Sequence, residues 1–259
     1  MNNEILTTLT MKLKCDSEEK LGFYKSSLLQ GVIMENIDPS YAEKLHEDGR
    51  KPYSQSIIIR GEENIWTINT LTRDAREGVI DPLLKEQFLR FKIEHNDMPV
   101  SIVSKELKEQ AYSDLFNAFY TQEAKNTFII DFQSPTAFKK DGHYVFYPDL
   151  YLIYHSLMRK LDSVSDRESM YSYETLEQLV NCSEIIAYSI YSVRHSIEGV
   201  KIPAFMGKIT VRVRGTQTMS NFANLLFEFG NYSGIGIKTA IGMGRVEIGP
   251  KGKKVNRNE

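Results

Sequence analysis

The stretch Thr8-Leu9-Thr10-Met11-Lys12-Leu13-Lys14-Cys15 alternates polar and apolar residues along its whole length. A period of two is typical of a β-strand with one buried face, because successive side chains point to opposite sides of a sheet. Farther along, apolar residues recur every three or four positions between Leu21 and Glu35, which predicts an amphipathic helix. The chain therefore opens with a strand followed by a helix.

The next segments complete a β-α-β-β-α-β order. A second short helix is predicted over Ser40–Glu47, and Gly61-Glu62-Glu63-Asn64 has the composition of a hairpin loop between two strands. Asp74 is predicted to cap a helix that reaches about Gln87. The strands of this first unit are predicted at residues 56–60, 65–71 and 88–94, after the opening strand.

The same order recurs in the second half of the chain, which indicates a duplication. A split β-α-β unit that occurs twice predicts an α+β protein of two tandem ferredoxin-like (RRM-like) domains, each an antiparallel sheet covered by two helices. We place these domains at residues 1–120 and 121–259. The segment 96–126 that joins them is expected to add a strand at 100–108 and a helix at 112–120. The elements of the second unit are predicted around 128–132, 150–161, 186–190, 209–213, 222–229 and 245–248.

Composition excludes several classes of protein. The chain has 259 residues, of which 41% are hydrophobic and 25% are charged, as in ordinary globular proteins. We expect no membrane association, because no window reaches the roughly 18 apolar residues of a membrane helix, and the N-terminus does not resemble a secretory signal. Cys15 and Cys182 are far apart and form no Cys-x-x-Cys pair, so neither a disulfide framework nor a zinc site is indicated.

Charge is unevenly distributed along the chain. Residues 1–200 hold 22 basic and 31 acidic residues, whereas residues 201–259 hold 10 basic and 3 acidic ones. A basic excess of this kind favours a polyanionic partner, since Lys and Arg that neutralise phosphates release condensed counterions. The alternative is a solvated basic tail at Lys251, Lys253, Lys254 and Arg257.

The segment Gly234–Gly244 contains four glycines and Lys238, between a predicted helix and the last strand. Glycines permit positive φ and let backbone N–H groups approach an anion, so the segment predicts either a phosphate cradle or a structural turn. It lacks the Gly-Lys-Ser/Thr ending of a Walker loop and precedes a strand, unlike a dinucleotide-binding loop. The nearby strand Lys208–Arg214 places Lys208, Arg212 and Arg214 on one face, which either binds a nucleic-acid backbone or is simply solvated.

The spacing of the glycines in Gly234–Gly244 resembles the glycine-rich loop of the RAMP superfamily. Within it, the chain is most similar to the CRISPR-associated endoribonucleases that cut the repeat transcript into guide RNAs. The likeness covers nearly the whole chain and extends to Leu29–Ile33, Leu45–Glu47, Lys51–Ser54 and Phe132–Phe138. It implies two ferredoxin-like domains, CRISPR repeat RNA as the partner, and neither a metal nor another cofactor. The RNA contacts it implies are Gly234, Gly236, Gly242 and Gly244 as a backbone cradle, with Lys208, Arg212, Arg214, Lys238 and Arg245 on phosphates.

The resemblance also implies catalytic residues. His46 matches the histidine position of the family, and Lys51 fits its basic partner. The 2′-hydroxyl would attack the adjacent phosphate and leave a 2′,3′-cyclic phosphate and a 5′-hydroxyl. Some members carry a tyrosine in the first helix, where this chain has Met34, so that role is not transferred; Tyr41 is an alternative. The other histidines, His95, His143, His155 and His195, are predicted to be structural, with His195 a weak candidate for RNA contact.

Two other functions remain open from the sequence. A non-catalytic RAMP subunit that binds guide RNA in a CRISPR interference complex would use the same fold and loop. A small-ligand regulatory module with a phosphate-binding loop is the third candidate. The resemblance is compatible with binding to subunits of a CRISPR interference complex and with a homodimer. It also implies a cytoplasmic location.

Overall fold

A computed structural model describes residues 5–15, 21–47, 49–93, 98–165, 169–197 and 199–250. The elements of the N-terminal half are β1 (Ile5–Cys15), a 3₁₀ turn (Phe23–Lys25), α1 (Ser26–Asn36), α2 (Pro39–Glu47), β2 (Tyr53–Arg60), β3 (Glu63–Thr70), α3 (Arg73–Ala75), a π-helical turn (Arg76–Ile80), α4 (Asp81–Leu84), β4 (Arg90–Ile93), β5 (Met98–Ala111) and α5 (Tyr112–Thr121). Those of the C-terminal half are β6 (Thr127–Thr136), β7 (Phe138–Lys140), β8 (His143–Val145), α6 (Leu150–Val164), α7 (Tyr173–Asn181), β9 (Ser183–Ile197), β10 (Val200–Val213), α8 (Gln217–Ser233), a 3₁₀ turn (Thr239–Ile241) and β11 (Val246–Pro250).

Each half contains one main antiparallel sheet, and the C-terminal half also contains the two-stranded hairpin β7–β8. The first has the strand order β2-β3-β1-β5-β4, and the second has the order β11-β6-β10-β9. We number the strands of each unit separately and take β5 and β11 as the fourth strands. Both sheets then have the order 2-3-1-4, and within each sheet helices connect strand 1 to strand 2 and strand 3 to strand 4. The predicted α+β fold of tandem ferredoxin-like domains is therefore confirmed.

The pattern of β1 explains how the first sheet finds its core. Leu9, Met11 and Leu13 are buried, whereas Lys12 and Lys14 are exposed, as the alternation of the sequence predicts. Burying each of the large apolar side chains stabilises the fold by about 1.5–3 kcal/mol relative to leaving it in water. A shift of one residue in the strand pairing would reverse both faces, so this pattern fixes the register.

Some local predictions differ from the structure. Thr72, not Asp74, caps the helix after β3, because its hydroxyl accepts a hydrogen bond of 3.1 Å from the N–H of Ala75. The strand predicted at 88–94 is the short edge strand β4, and residue 94 lies outside the described residues. The fourth position of the first sheet belongs to β5, which pairs directly with β1. The hairpin β7–β8 and the helix α7 were not predicted.

The two halves share their hydrophobic cores. Tyr112, Leu115 and Phe116 of α5 belong to the core of the C-terminal half, although α5 directly follows the last N-terminal strand. Leu6 of β1 belongs to the same core, whereas Ala240 from the second 3₁₀ turn packs into the N-terminal core. The domain boundary at residue 120 stays a prediction, but the packing shows that each core uses residues from both sides of it.

Candidate nucleic-acid site

A cavity of about 560 Å³ lies between the two halves of the molecule. Its walls come from α1, from residues 49–51 after α2, from α6 and from residues 236–241 of the glycine-rich loop. None of the described residues that line it carries a carboxylate. Its charged or titratable lining residues are Arg50, Lys51, Lys139, His155, Arg159, Lys160 and Lys238.

The glycines of the loop shape its backbone more than they offer N–H groups. The N–H groups of Gly234, Gly236, Gly242 and Gly244 donate to Gly230 O, Ser156 Oγ, Thr239 O and Pro135 O, respectively, at 2.9–3.3 Å. All four glycines have positive φ, and a Cβ at Gly236 would overlap the carbonyl oxygen of Ala137. The predicted cradle of glycine N–H groups is therefore occupied by internal hydrogen bonds in this structure.

The glycine-rich loop instead brings Lys238 to the cavity wall. Lys238 adopts the left-handed conformation, with φ of 56°, and its carbonyl oxygen accepts hydrogen bonds from the N–H groups of Ile241 and Met243. Its backbone is thus fixed by the turn that follows it. Of the loop residues predicted to bind RNA, Lys238 is the one that places a cation at the cavity.

Lys160 of α6 ties the helix to this loop. Its ammonium donates hydrogen bonds to the carbonyl oxygens of Ser233 and Gly234, at 3.1 and 3.0 Å, and lies 3.4 Å from the hydroxyl of Thr239. Burial, with a smaller contribution from the charge of Arg50, lowers the pKa of Lys160 to about 7. With a pKa near neutrality, the protonation state of Lys160 depends on any charge that enters the cavity.

His155 lies in the cavity wall one helical turn before Arg159, a position that was not predicted from the sequence. Its ring stacks on Tyr151, with a centroid distance of 5.8 Å and an interplanar angle of 6°. Burial lowers the pKa of His155, and the positive charges of Arg159 and Arg50 lower it further. The imidazole is thus predominantly neutral at pH 7.

The two predicted catalytic residues, His46 and Lys51, lie in the last turn of α2 and in the segment that follows it. His46 is exposed in the last turn of α2 and is not one of the residues that line the cavity. Lys51 lines it, and its ammonium donates a hydrogen bond to the carbonyl oxygen of Leu45, the residue before His46. The Lys51 ammonium therefore lies at the cavity and next to the backbone of the residue that precedes His46.

The two candidate positions for a catalytic tyrosine are also placed by the structure. Met34 is half-buried against the N-terminal core, whereas Gln30, one turn earlier in α1, lines the cavity. Tyr41 packs its ring against Gly78 of the π-helical turn and is outside the cavity lining. Tyr41, like His46, is thus not among the residues that line the cavity.

The basic residues of β10 are separated from the glycine-rich loop. Arg212 pairs with Thr127 at one end of β6, and Thr136, which borders the loop, lies nine residues away along that strand. At about 3.3 Å per residue this separation is about 30 Å. The residues share one face, as predicted, but each has an acidic neighbour: Lys208 lies 2.9 Å from Asp131, and Glu184 lies 3.5 Å from Arg212 and 2.6 Å from Arg214.

Arg245 connects the two halves. Its guanidinium donates hydrogen bonds to Gln133 Oε1, at 3.0 Å, and to Ser56 Oγ of the N-terminal sheet, at 2.9 Å. Burial is the main cause that lowers the pKa of Arg245 to about 10. In this structure its predicted role on RNA phosphate competes with a structural one between the domains.

The remaining histidines of the described ranges, His143 and His195, are not among the residues that line the cavity. His195 is 1% exposed and packs near Phe23, so the weak expectation of an RNA contact is not supported. His143 is exposed on β8, and His95 lies outside the described residues. Within the described ranges, His, Cys, Asp and Glu side chains form no group of three or more that could hold a metal ion. The helices of those ranges are also too short or too polar to cross a membrane.

Comparison with known proteins assigns the chain to a family. A family model described as CRISPR-associated endoribonuclease Cas6 matches residues 130–246. A CRISPR-associated endoribonuclease Cas6 of Mycobacterium tuberculosis is 31% identical over 250 residues, which cover 95% of this chain and 79% of that protein. The Streptococcus thermophilus enzyme of the same name is 33% identical over 219 residues, or 84% of this chain and 88% of that protein. The chain belongs to the Cas6 family.

Solved Cas6 structures share the fold. A Cas6 product complex superimposes with a TM-score of 0.79 at 19% identity, covering 95% of this chain and 99% of that one. Thermus thermophilus Cas6 gives a TM-score of 0.73 at 18% identity, with coverage of 96% and 100%. The family and the endoribonuclease activity predicted from the sequence are thereby confirmed by the Cas6 relatives, and the fold by the Cas6 structures.

Proposed function

We propose that this Cas6-family endoribonuclease binds CRISPR repeat RNA in the cavity between its domains and cleaves the repeat transcript into guide RNAs. The observation that carries the proposal is the cavity lining: six Lys and Arg side chains, with no carboxylate among the described lining residues. A concave surface of one sign concentrates a polyanion and gains affinity by releasing its counterions. Residues 49–51 of this surface follow closely after His46 in the sequence.

The proposed chemistry is an intramolecular displacement at phosphorus. The 2′-hydroxyl loses its proton, its oxygen bonds to the adjacent phosphorus, and the bond from phosphorus to the 5′-oxygen breaks as that oxygen gains a proton. The products are a 2′,3′-cyclic phosphate and a 5′-hydroxyl. The nucleophile belongs to the RNA itself, so the reaction needs no metal-bound water, and the proposed mechanism is metal-independent.

His46 and Lys51 supply the two kinds of help that this reaction needs. An imidazole titrates near neutrality and can move protons, which is worth about 10²- to 10⁴-fold in rate. A fixed cation stabilises the doubly charged phosphorane, worth on the order of 10²- to 10³-fold per donor. Support for this pairing comes from the hydrogen bond between Lys51 and Leu45 O, which keeps the ammonium near His46.

The test compares cutting with binding. His46→Ala should abolish cleavage of labelled repeat RNA in EDTA and leave the dissociation constant nearly unchanged. His143→Ala is the matched control, because His143 is exposed on β8 and outside the cavity lining. Retained cutting in His46→Ala, or loss of cutting and affinity together, would contradict the assignment. Strict dependence of the wild type on Mg²⁺ would overturn the metal-independent mechanism.

Other parts of the functional assignment extend the same proposal. The predicted phosphate contacts from Lys208, Arg212 and Arg214 require that RNA leaving the cavity follows the sheet, for about 16 Å to Lys208 and about 30 Å to Arg212. Transfer of the product to subunits of an interference complex, a homodimer and a cytoplasmic site of action complete the proposed role.

A further inference from the structure

One face of α6 presents a prearranged group of side chains to the cavity. His155 and Arg159 are four residues apart, so they lie on the same side of the helix, and both line the cavity. The ring of Tyr171 meets the edge of His155 at a centroid distance of 5.7 Å, and Tyr151 stacks on His155. The guanidinium carbon of Arg159 lies 5.2 Å from the centroid of Tyr171. The two tyrosines therefore hold both side chains in place before any ligand binds.

The imidazole differs chemically from the cations around it. Because burial and the charges of Arg159 and Arg50 lower its pKa, His155 keeps one hydrogen-bond donor and one acceptor at neutral pH. A neutral ring with both functions can hydrogen-bond the edge of a nucleobase, whereas a phosphate is better met by a guanidinium. Arg159 supplies that guanidinium one turn away. The cavity volume of about 560 Å³ falls within the usual range for small-ligand pockets and so has room for a nucleotide.

Resting on the function proposed above, we propose that His155 and Arg159 form a nucleotide subsite in which His155 holds one unpaired base of the repeat RNA and Arg159 contacts its phosphate. Aromatic support reduces the ordering cost of the two side chains, because their rotamers are already fixed in the free protein. The subsite adds base recognition to a surface that otherwise attracts RNA through charge alone.

The first experiment separates the two roles by their salt dependence. Repeat RNA with a 2′-deoxy nucleotide at the scissile position prevents cutting, so binding is measured directly from 50 to 400 mM KCl at pH 7.5. His155→Ala should weaken binding about 10-fold without changing the slope of log affinity against log salt, because a neutral side chain releases no counterion. Arg159→Ala should weaken binding and reduce the magnitude of that slope by about 0.7. His143→Ala and Arg90→Ala, both exposed and outside the cavity lining, should match the wild type.

The second experiment identifies the base contact. Abasic substitutions are moved one position at a time through the repeat. At one position of the repeat, removing the base should weaken binding to the wild type but not to His155→Ala. The variant already lacks the contact with that base, so removing the base costs it no further affinity. Additive losses at every position, or a change of salt slope in His155→Ala, would overturn the assignment of His155 to a base.

Two further measurements keep the outcome interpretable. His155→Phe retains the stacking on Tyr151 and removes the hydrogen bonds, so it should keep the wild-type melting temperature and still lose affinity. A wild type that cuts repeat RNA, with His155 and Arg159 variants that bind normally, would overturn the subsite alone. A wild type that binds the repeat but never cuts it would overturn the proposed catalytic function, while the binding assays would still decide the subsite.

Discussion

Gly242 is the position where a single methyl group should reveal how tightly the glycine-rich loop packs on the N-terminal domain. Its φ is +97°, outside the conformations that L-residues adopt readily, and a Cβ there would overlap the Cβ and Oγ of Ser26 in α1. For Gly242→Ala we expect a backbone penalty of about 1–3 kcal/mol and an overpacking penalty of similar size. The reduced entropy of the unfolded chain returns about 0.4–1 kcal/mol. The net loss in the free energy of unfolding is about 1–5.6 kcal/mol.

Urea denaturation at 25 °C measures this loss, and Gly31→Ala is the matched control. Gly31 lies in α1, and no neighbouring atom of the described residues lies within 4 Å of the place that a Cβ would take, so alanine there should stabilise the protein by up to about 1 kcal/mol. Adding Ser26→Gly to Gly242→Ala should recover the overpacking penalty but not the backbone penalty, which a double-mutant cycle separates. A Gly242→Ala protein within about 0.5 kcal/mol of the wild type, the scatter of surface substitutions, would refute the reasoning.

Three other predictions concern the charged groups of the cavity. The pKa of Lys160 is lowered from 10.5 to about 7 in the folded protein, so between these pH values the unfolded chain carries one proton more than the folded one. The free energy of unfolding of the wild type should therefore rise with pH relative to that of Lys160→Met. Urea titrations that give the same difference between wild type and Lys160→Met at pH 6.5 and at pH 9 would contradict this. His155 should titrate below pH 6.5 by NMR, and Arg159→Ala should raise its pKa; an unchanged or lower pKa would be the opposite result. Lys238→Ala should reduce the magnitude of the salt slope of RNA binding by about 0.7, and Arg212→Ala should reduce it less, since Glu184 already lies 3.5 Å from Arg212; equal effects of the two substitutions would contradict this weakening by Glu184.

The fold was predictable because its signals are local. The alternation in β1 and the helical spacing of α1 depend only on neighbouring residues, and the repeated element order predicted two similar domains. Some local predictions were wrong because two nearby residues could fill the same role. Both Thr72 and Asp74 can cap a helix, and in the structure Thr72 caps α3. The strand order and the fourth position of β5 depend on pairing between residues about 100 positions apart, which no short window contains.

The candidate site was predictable only in part. Lys238 and Lys51 line the cavity as the loop and the family likeness suggested, but His155 and Arg159 were missed. The apolar spacing of α6 shows which face is buried and does not show what the opposite face meets. That partner is set by the way two domains pack, so a polar residue such as His155 looks like ordinary helix surface in the sequence.

The exchange of Ala240, Leu6 and Leu71 between the two cores has a consequence for biosynthesis. The N-terminal sheet is synthesised more than 100 residues before Ala240. Its core therefore lacks Ala240 until translation is nearly complete. Leu6 and Leu71, in turn, belong to a core that also needs residues of α6 and α8, which are made later. We therefore expect the two halves to complete their folding together, and calorimetry of the purified enzyme should show a single melting transition.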